Sequence, residues 1–257
     1  MARSQSEYLV LDIETIPDDE RWQRPDASDG RGYDSFPPTW AHRIVVIGCL
    51  WLDHGYSLKH VGVFHAPTDT SQGGEQITAD DREQALLEQF SRFVGEKRPV
   101  LVTYNGRGFD LPVIALRSLC HGVPQRWYYR EPTTRARYSE QGHLDVCDWL
   151  ADHGATRLGS LDSIARLIGL PGKTGVDGSQ VERLYRAGEL AAIQRYCLSD
   201  VAQTALLFLR FRLLQGVLSP TDYCARVDEL LAGLAADGRV PDVVNGVNRA
   251  QLLRTSL

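Results

Sequence analysis

Two carboxylates close a nearly unbroken apolar run, Tyr8-Leu9-Val10-Leu11-Asp12-Ile13-Glu14-Thr15. Side chains alternate along a strand, so Asp12 and Glu14 share one face. Like charges side by side at the end of a buried strand repel each other, and they call for a compensating cation or a solvated loop. A divalent metal meets that need; so do plain solvated carboxylates at a strand exit. Two further acids bear on the choice. Asp110 follows a second apolar run, 99–104, through Asn105-Gly106-Arg107-Gly108-Phe109. It reads either as a helix N-cap or as a site acid beyond the carboxyl end of a strand, where open α/β sheets place their ligands. Asp200 follows Tyr196 by four residues in a long helical pattern, which brings the phenol and the carboxylate onto one helix face.

The elements that must position these groups follow from periodicity. Apolar runs or alternation predict strands over 8–15, 44–52, 57–64, 99–104 and 143–146. The turn residues Asp53-His54-Gly55 make the second and third antiparallel neighbours. Helical spacing predicts helices over 78–94 with Thr78 as cap, from Asp110 through 119, over 161–168, 178–187 and 189–215, and two short ones over 222–236 and 245–253. A polar excursion over 17–38 is expected to cover the sheet end beside Glu14, and 65–74 is expected to be a loop. The segment 125–138 interleaves Arg126, Arg130, Arg135 and Arg137 with Trp127, Tyr128, Tyr129 and Tyr138. That composition suits stacking on bases and holding phosphates, and equally an exposed loop with half-buried aromatics. The glycine-rich connection 169–175 lacks the register of a phosphate loop.

Composition narrows the classes. The chain has 257 residues, 43% of them hydrophobic, enough for one well-buried α/β domain with additional helices. A net charge of −5 argues against non-specific coating of nucleic acid, though not against a local grip on a few nucleotides. The five cysteines are scattered without zinc spacing, the N-terminus has no apolar leader, and no stretch has membrane-spanning length. A cytoplasmic protein with reduced thiols and no membrane association is expected.

Taken in order, Leu11-Asp12-Ile13-Glu14-Thr15, Tyr104-Asn105-Gly106-Arg107-Gly108-Phe109-Asp110 and Tyr196-Cys197-Leu198-Ser199-Asp200 resemble the three motifs of the DEDD superfamily of 3′-5′ exonucleases. The tyrosine before the last acid is similar to the DEDDy subgroup, in particular to a stand-alone version of the proofreading exonuclease domain of family B DNA polymerases. The likeness runs from Tyr8 to about Gln215. It implies an α/β, ribonuclease H-like fold with a central mixed five-stranded sheet flanked by helices, over 1–216; the helical patterns after Ser219 add a C-terminal helical appendage over 217–257 that is extra to that fold. It also implies that Asp12, Glu14, Asp110, Tyr196 and Asp200 are catalytic. The four acids would hold two ions, Mg²⁺ or Mn²⁺: Asp12 bridging both, Glu14 and Asp200 completing the nucleophile-side site, Asp110 reaching the other mainly through water. Hard oxygen donors and a two-ion phosphodiester displacement agree with that donor set. Tyr196 would orient the attacking water, being too weak an acid to serve as a base at neutral pH.

The implied reaction is hydrolysis at the 3′ end of a single-stranded nucleic acid, DNA favoured and RNA possible, with release of nucleoside 5′-monophosphates, in a DNA repair setting. No polymerase-like stretch follows, so editing in cis is not expected, and no protein partner is indicated. Thr15, Asn105 and Phe109 are candidate substrate contacts; Asn105 is equally a turn residue and Phe109 equally a core residue. Asp145 reads as a structural hydrogen-bond acceptor, Lys173 as a solvated loop lysine near a phosphate path, and His143 as a strand residue. Two other classes fit the same residues: a non-catalytic nucleic-acid-binding module of this fold, and a phosphodiesterase for short oligonucleotides. A long groove along 125–138 favours polymers, a closed pocket short substrates.

Overall fold

The computed structural model of the chain describes residues 6–24, 36–64, 77–173 and 178–256. The centre of the expected excursion over 17–38, the expected loop over 65–74 and the end of the glycine-rich connection lie outside them.

Five strands form one mixed sheet: β1 (Tyr8–Pro17), β2 (His42–Leu52), β3 (Leu58–Phe64), β4 (Val100–Thr103) and β5 (His143–Asp145), in the order β3-β2-β1-β4-β5. β1 pairs antiparallel with β2 and parallel with β4; β2–β3 is antiparallel and β4–β5 parallel. This is the ribonuclease H-like sheet expected from the three motifs. The central strand β1 is apolar on both faces because both are covered. Tyr8 and Val10 pack against the cluster that contains Val201, Ala205 and Phe208, while Leu9, Leu11 and Ile13 face Leu87, Phe90 and Ile114.

The second face is covered by α1 (Ala79–Lys97) and α2 (Asp110–His121). Thr78 starts α1 with a reciprocal capping box to Asp81, an arrangement that contributes about 1 kcal/mol. The first face is covered by the 25-residue α8 (Leu190–Leu214), which is reached through α3 (Arg126–Tyr129), α4 (Pro132–Arg135), α5 (Val146–Leu150), α6 (Leu161–Leu167) and α7 (Val181–Arg186). The Arg/aromatic segment is thus two short helices and not an open loop. Beyond α8, α9 (Pro220–Asp237) starts at the Ser219 cap with Pro220 in its first turn, and α10 (Pro241–Gly246) and α11 (Arg249–Leu252) follow. Their Tyr223, Val227, Leu230, Val243 and Leu252 extend the cluster that holds Val10 and Val102. Among the described residues no helix is long and apolar enough to cross a membrane.

Candidate active site

Four acids lie near β1 beyond its last pair with β4, Val10 to Val102, where the strand runs on paired with β2 alone as far as Pro17 and does not end at Thr15. Asp12 and Glu14 lie on the strand face that carries Tyr8 and Val10, so both are turned toward α8. Asp110 comes from the other direction, at the start of α2. Phe109 is the residue before that helix and makes no side-chain cap, so Asp110 is not an N-cap. Its Oδ1 accepts the backbone N–H of Ile13 at 3.2 Å, fixing the carboxylate to the residue between Asp12 and Glu14. Asp200 stands on α8 one turn after Tyr196, whose phenol is near enough to draw the Asp200 carboxyl down.

Burial and mutual repulsion govern the electrostatics. Desolvation, then the charges of Asp110, Glu14 and Asp200, push the Asp12 carboxyl far above the usual carboxylate range. Burial and the charges of Asp200 and Asp110 do the same to Glu14, which is only 7% exposed. Asp110 is raised by burial to about 7 despite the helix terminus at which it sits, and Asp200 by burial to about 6. The Tyr196 phenol and the nearby Lys173 charge pull Asp200 back down. Burial and the surrounding acids drive the Tyr196 phenol far above its ordinary value, so it is a hydrogen-bond donor and not a base. Among the described residues no lysine or arginine forms an ion pair with Asp12, Glu14, Asp110 or Asp200. Asp12 and Glu14, with ligand atoms within 4.8 Å of each other and the charges of Asp110 and Asp200 acting on both, fit a divalent cation: its charge removes the repulsion, and oxygen donors of this type suit hard ions.

The loop that delivers Asp110 is locked from β5. Asp145, 2% exposed, accepts the N–H groups of Asn105 and Arg107 at 2.8 Å each and that of Asp148 at 3.2 Å. This is the structural role expected of it. Asn105 adopts a left-handed backbone (φ 64°), and its carbonyl accepts the N–H groups of Gly108 and Phe109. Asn105 is therefore a turn residue whose side chain is exposed. His143 is fully buried and burial lowers it to about 3; its ring bridges Thr103 Oγ1 at 2.8 Å and Arg107 at 3.3 Å.

His42 and Phe36, which carried no sequence signal, meet two of the candidate substrate contacts here. Thr15 Oγ1 lies 2.9 Å from His42 Nδ1, and the other ring nitrogen lies 2.9 Å from the Pro37 carbonyl oxygen. A carbonyl accepts only, so His42 carries its proton on Nε2, and the Thr15 hydroxyl donates to Nδ1. Phe109 stacks edge-on to His42 with ring centroids 5.0 Å apart, and Phe36 lies 4.7 Å from His42. Phe109 also packs against the core under α2, as its reading as a core residue expects. Cys197, inside the third motif, is fully buried, with Sγ 3.4 Å from the Asp12 carbonyl oxygen and 3.6 Å from Asp12 Oδ2.

Behind the site, Arg117 is 1% exposed and holds both oxygens of Glu83 (2.8 and 2.6 Å) together with Asp18 (2.7 Å). Glu83 in turn accepts the Ile44 N–H at 2.8 Å. Asp80, Glu83 and His121 have metal-ligand spacing, but Arg21, Arg43 and Arg117 already neutralise this network. Of the Arg/aromatic segment, Trp127 is built into the core and Arg135 lies over the Tyr128 and Tyr129 rings. A cleft of about 400 Å³ adjoins the loop, with Asn105, Arg107, Gly108 and Arg137 among its walls.

Comparison with known proteins agrees with this geometry. Residues 34–242 match the family described as "Predicted 3'-5' exonuclease related to the exonuclease domain of PolB". The match contains Asn105, Asp110, Tyr196 and Asp200; Asp12 and Glu14 precede it and join the site through the fold. The chain is 22% identical over 189 residues to the catalytic subunit of DNA polymerase epsilon from Schizosaccharomyces pombe, covering 68% of this chain and 9% of that much longer protein. The product-bound structure of exonuclease I aligns with 84% of this chain and 50% of its own, at 12% identity and a TM-score of 0.40. With most of its length inside the family match, the chain belongs to the family of 3′-5′ exonucleases related to the exonuclease domain of PolB.

Proposed function

We propose that this protein is a divalent-metal-dependent 3′-5′ exonuclease that trims single-stranded nucleic acid, DNA in preference to RNA, and releases nucleoside 5′-monophosphates. The observation that carries the reading is the convergence of Asp12, Glu14, Asp110 and Asp200 from three elements, with carboxyl groups raised by burial and, in Asp12 and Glu14, by mutual repulsion. A module that only bound an anionic polymer would gain nothing from such a cluster.

In this reading Asp12, Glu14, Asp110 and Asp200 hold two ions, Mg²⁺ or Mn²⁺. Divalent ions supply charge neutralisation, a lowered pKa for water and stabilisation of the departing 3′-oxyanion. The rest falls to the chain. Tyr196, a phenol that stays protonated, points the nucleophilic water by hydrogen bonding. Thr15, its hydrogen committed to His42, offers lone pairs to a donor on the terminal nucleotide. Phe109 supplies an aromatic face for the terminal base, and the exposed Asn105 side chain a polar contact to the strand. The adjoining cleft, walled by Arg107 and by Arg137 in its ion pair with Asp148, gives room for a substrate that continues past the terminal nucleotide. The preference for DNA rests on the likeness to a DNA polymerase.

The test is cleavage of matched 5′-labelled and 3′-labelled DNA and RNA oligonucleotides with Mg²⁺, Mn²⁺ or EDTA, beside Asp12→Asn. A metal-dependent ladder from the 3′ end that the variant lacks is the expected result. Binding without cleavage, unchanged in Asp12→Asn, overturns the reading.

A further inference from the structure

The candidate catalytic centre contains a sulfur that hard-ion chemistry does not use. Cys197 projects from α8 between the two acids of β1, and Asp12, Glu14 and Cys197 each offer one ligand atom, all within 4.8 Å of one another. Bonds of about 2.0–2.3 Å to one ion set its donors roughly 3.3–4.4 Å apart, so a small rotamer adjustment closes the triad. One further observation points to a ligand here: Glu14 is 7% exposed, and among the described residues no group donates a hydrogen bond to its carboxylate. On β2, opposite Asp12, Gly48 packs against the thiol, where a Cβ would stand 2.7 Å from Cys197 Sγ. Mg²⁺ and Mn²⁺ prefer oxygen donors, whereas borderline and soft ions take thiolate readily.

We propose that Asp12, Glu14 and Cys197 form a site for a thiophilic divalent cation of the Zn²⁺, Co²⁺ or Cd²⁺ class, and that its occupancy silences the exonuclease. This rests on the reading of the preceding subsection, in which Asp12 and Glu14 hold the activating ions. Binding converts the Cys197 S–H to a metal thiolate and releases one proton to solvent. A cation held this way takes Asp12 and Glu14 away from the hard ion, so inhibition is competitive with Mg²⁺ and reversed by a chelator followed by fresh Mg²⁺.

Titration of the metal-free protein with Co²⁺, read by optical absorption, tests the site apart from activity. Expected is a saturable sulfur-to-cobalt charge-transfer band that Zn²⁺ displaces, that Cys197→Ala removes, and a Zn²⁺ affinity about 100-fold weaker in that variant. Bound Co²⁺ without the band, or a band that survives in folded Cys197→Ala, overturns the proposal. Where Cys197→Ala fails to fold, ¹¹³Cd NMR of the unaltered chain decides: a resonance in the mixed sulfur/oxygen range that Asp12→Asn abolishes supports the site, and an all-oxygen shift overturns it. Mg²⁺-dependent cleavage by an aliquot of the same preparation to which no Co²⁺, Zn²⁺ or Cd²⁺ has been added separates the two readings. Cleavage without the thiolate signature removes only this inference; the signature without cleavage removes the exonuclease and leaves the metal site.

Discussion

The Asp110 carboxylate accepts the backbone N–H of Ile13 at 3.2 Å, which registers the second acidic motif on the strand that carries the first. Asparagine can accept the same hydrogen bond without the charge. Asp110→Asn is therefore expected to keep or raise metal-free stability, by about 1 kcal/mol, because one buried repelling charge is gone. Cleavage should fall by about 100-fold or more, as nearly 3 kcal/mol of transition-state stabilisation is lost. Thermal melts in EDTA beside single-turnover cleavage in Mg²⁺ check both halves.

Metal should cancel the pH dependence of stability that the site acids create. Asp200 and Asp110 have folded-state values near 6 and 7, above those of unfolded aspartate. A raised value means that the folded state holds its proton longer, so the stability is fully present at low pH and is lost as pH climbs through 6 and 7. In EDTA the melting temperature should fall between about pH 5 and 8. With Mg²⁺ at 100 times its Kd the fold gains about 2.7 kcal/mol, and the fall should disappear. A melting temperature in EDTA that rises across this range would contradict the cluster.

Arg117 joins α2, α1 and the end of β1 through one buried guanidinium. Arg117→Met removes the buried guanidinium shared by Glu83 and Asp18 and leaves Asp18 to Arg21 and Arg43 and Glu83 to His121 and the Ile44 N–H, at a cost of about 3 kcal/mol, measurable by urea unfolding. Asp18, held down to about 2 by Arg117 and Arg43, works in the opposite sense to the site acids. Its contribution is fully present above about pH 4 and is lost as pH falls toward 2. The acid limb of the stability curve should flatten in Arg117→Met.

Asp145 tests whether the loop's rigidity matters. Asp145→Ala leaves the N–H groups of Asn105, Arg107 and Asp148 without their acceptor and should cost about 2–3 kcal/mol of stability. If the loop positions Asp110, kcat should drop with it by about tenfold while the affinity for Mg²⁺-free oligonucleotide stays within twofold. Asp145→Asn, which retains an acceptor oxygen, should recover much of the stability.

The sheet and the acids were legible because each is written locally. Leu9 to Ile13 and Val100 to Val102 are buried on both faces and read as apolar runs, and spacings of two and four residues bring Asp12 to Glu14 and Tyr196 to Asp200. What was not legible is assembled across distance. Glu83, Arg117, Asp18 and Arg43 lie on four separate segments and look like ordinary surface charges until the fold closes. Cys197 was visible inside its motif, but its contact with Asp12 depends on how α8 crosses β1. The helices within 125–138 were hidden by a composition that suits a loop equally well.

His42 is the least expected member of the site. Antiparallel pairing with a register shift between Glu14 and Thr15 brings β2 alongside so that its first residue meets the Thr15 hydroxyl. Burial lowers the His42 pKa, and the Pro37 carbonyl accepts its Nε2 proton, so the ring is neutral and Nδ1 is left to accept from Thr15. Removing the ring frees the hydroxyl to rotate and takes the edge-on support from Phe109. His42→Ala should therefore raise KM for oligonucleotides by about tenfold, with kcat changed less, because the loss is in ground-state positioning. Thr15→Val should give a similar rise and add little in the double variant, since the two residues act as one unit. Independent, additive effects would show that the pair does not position the substrate, and an unchanged KM in both single variants would exclude Thr15 from the substrate site.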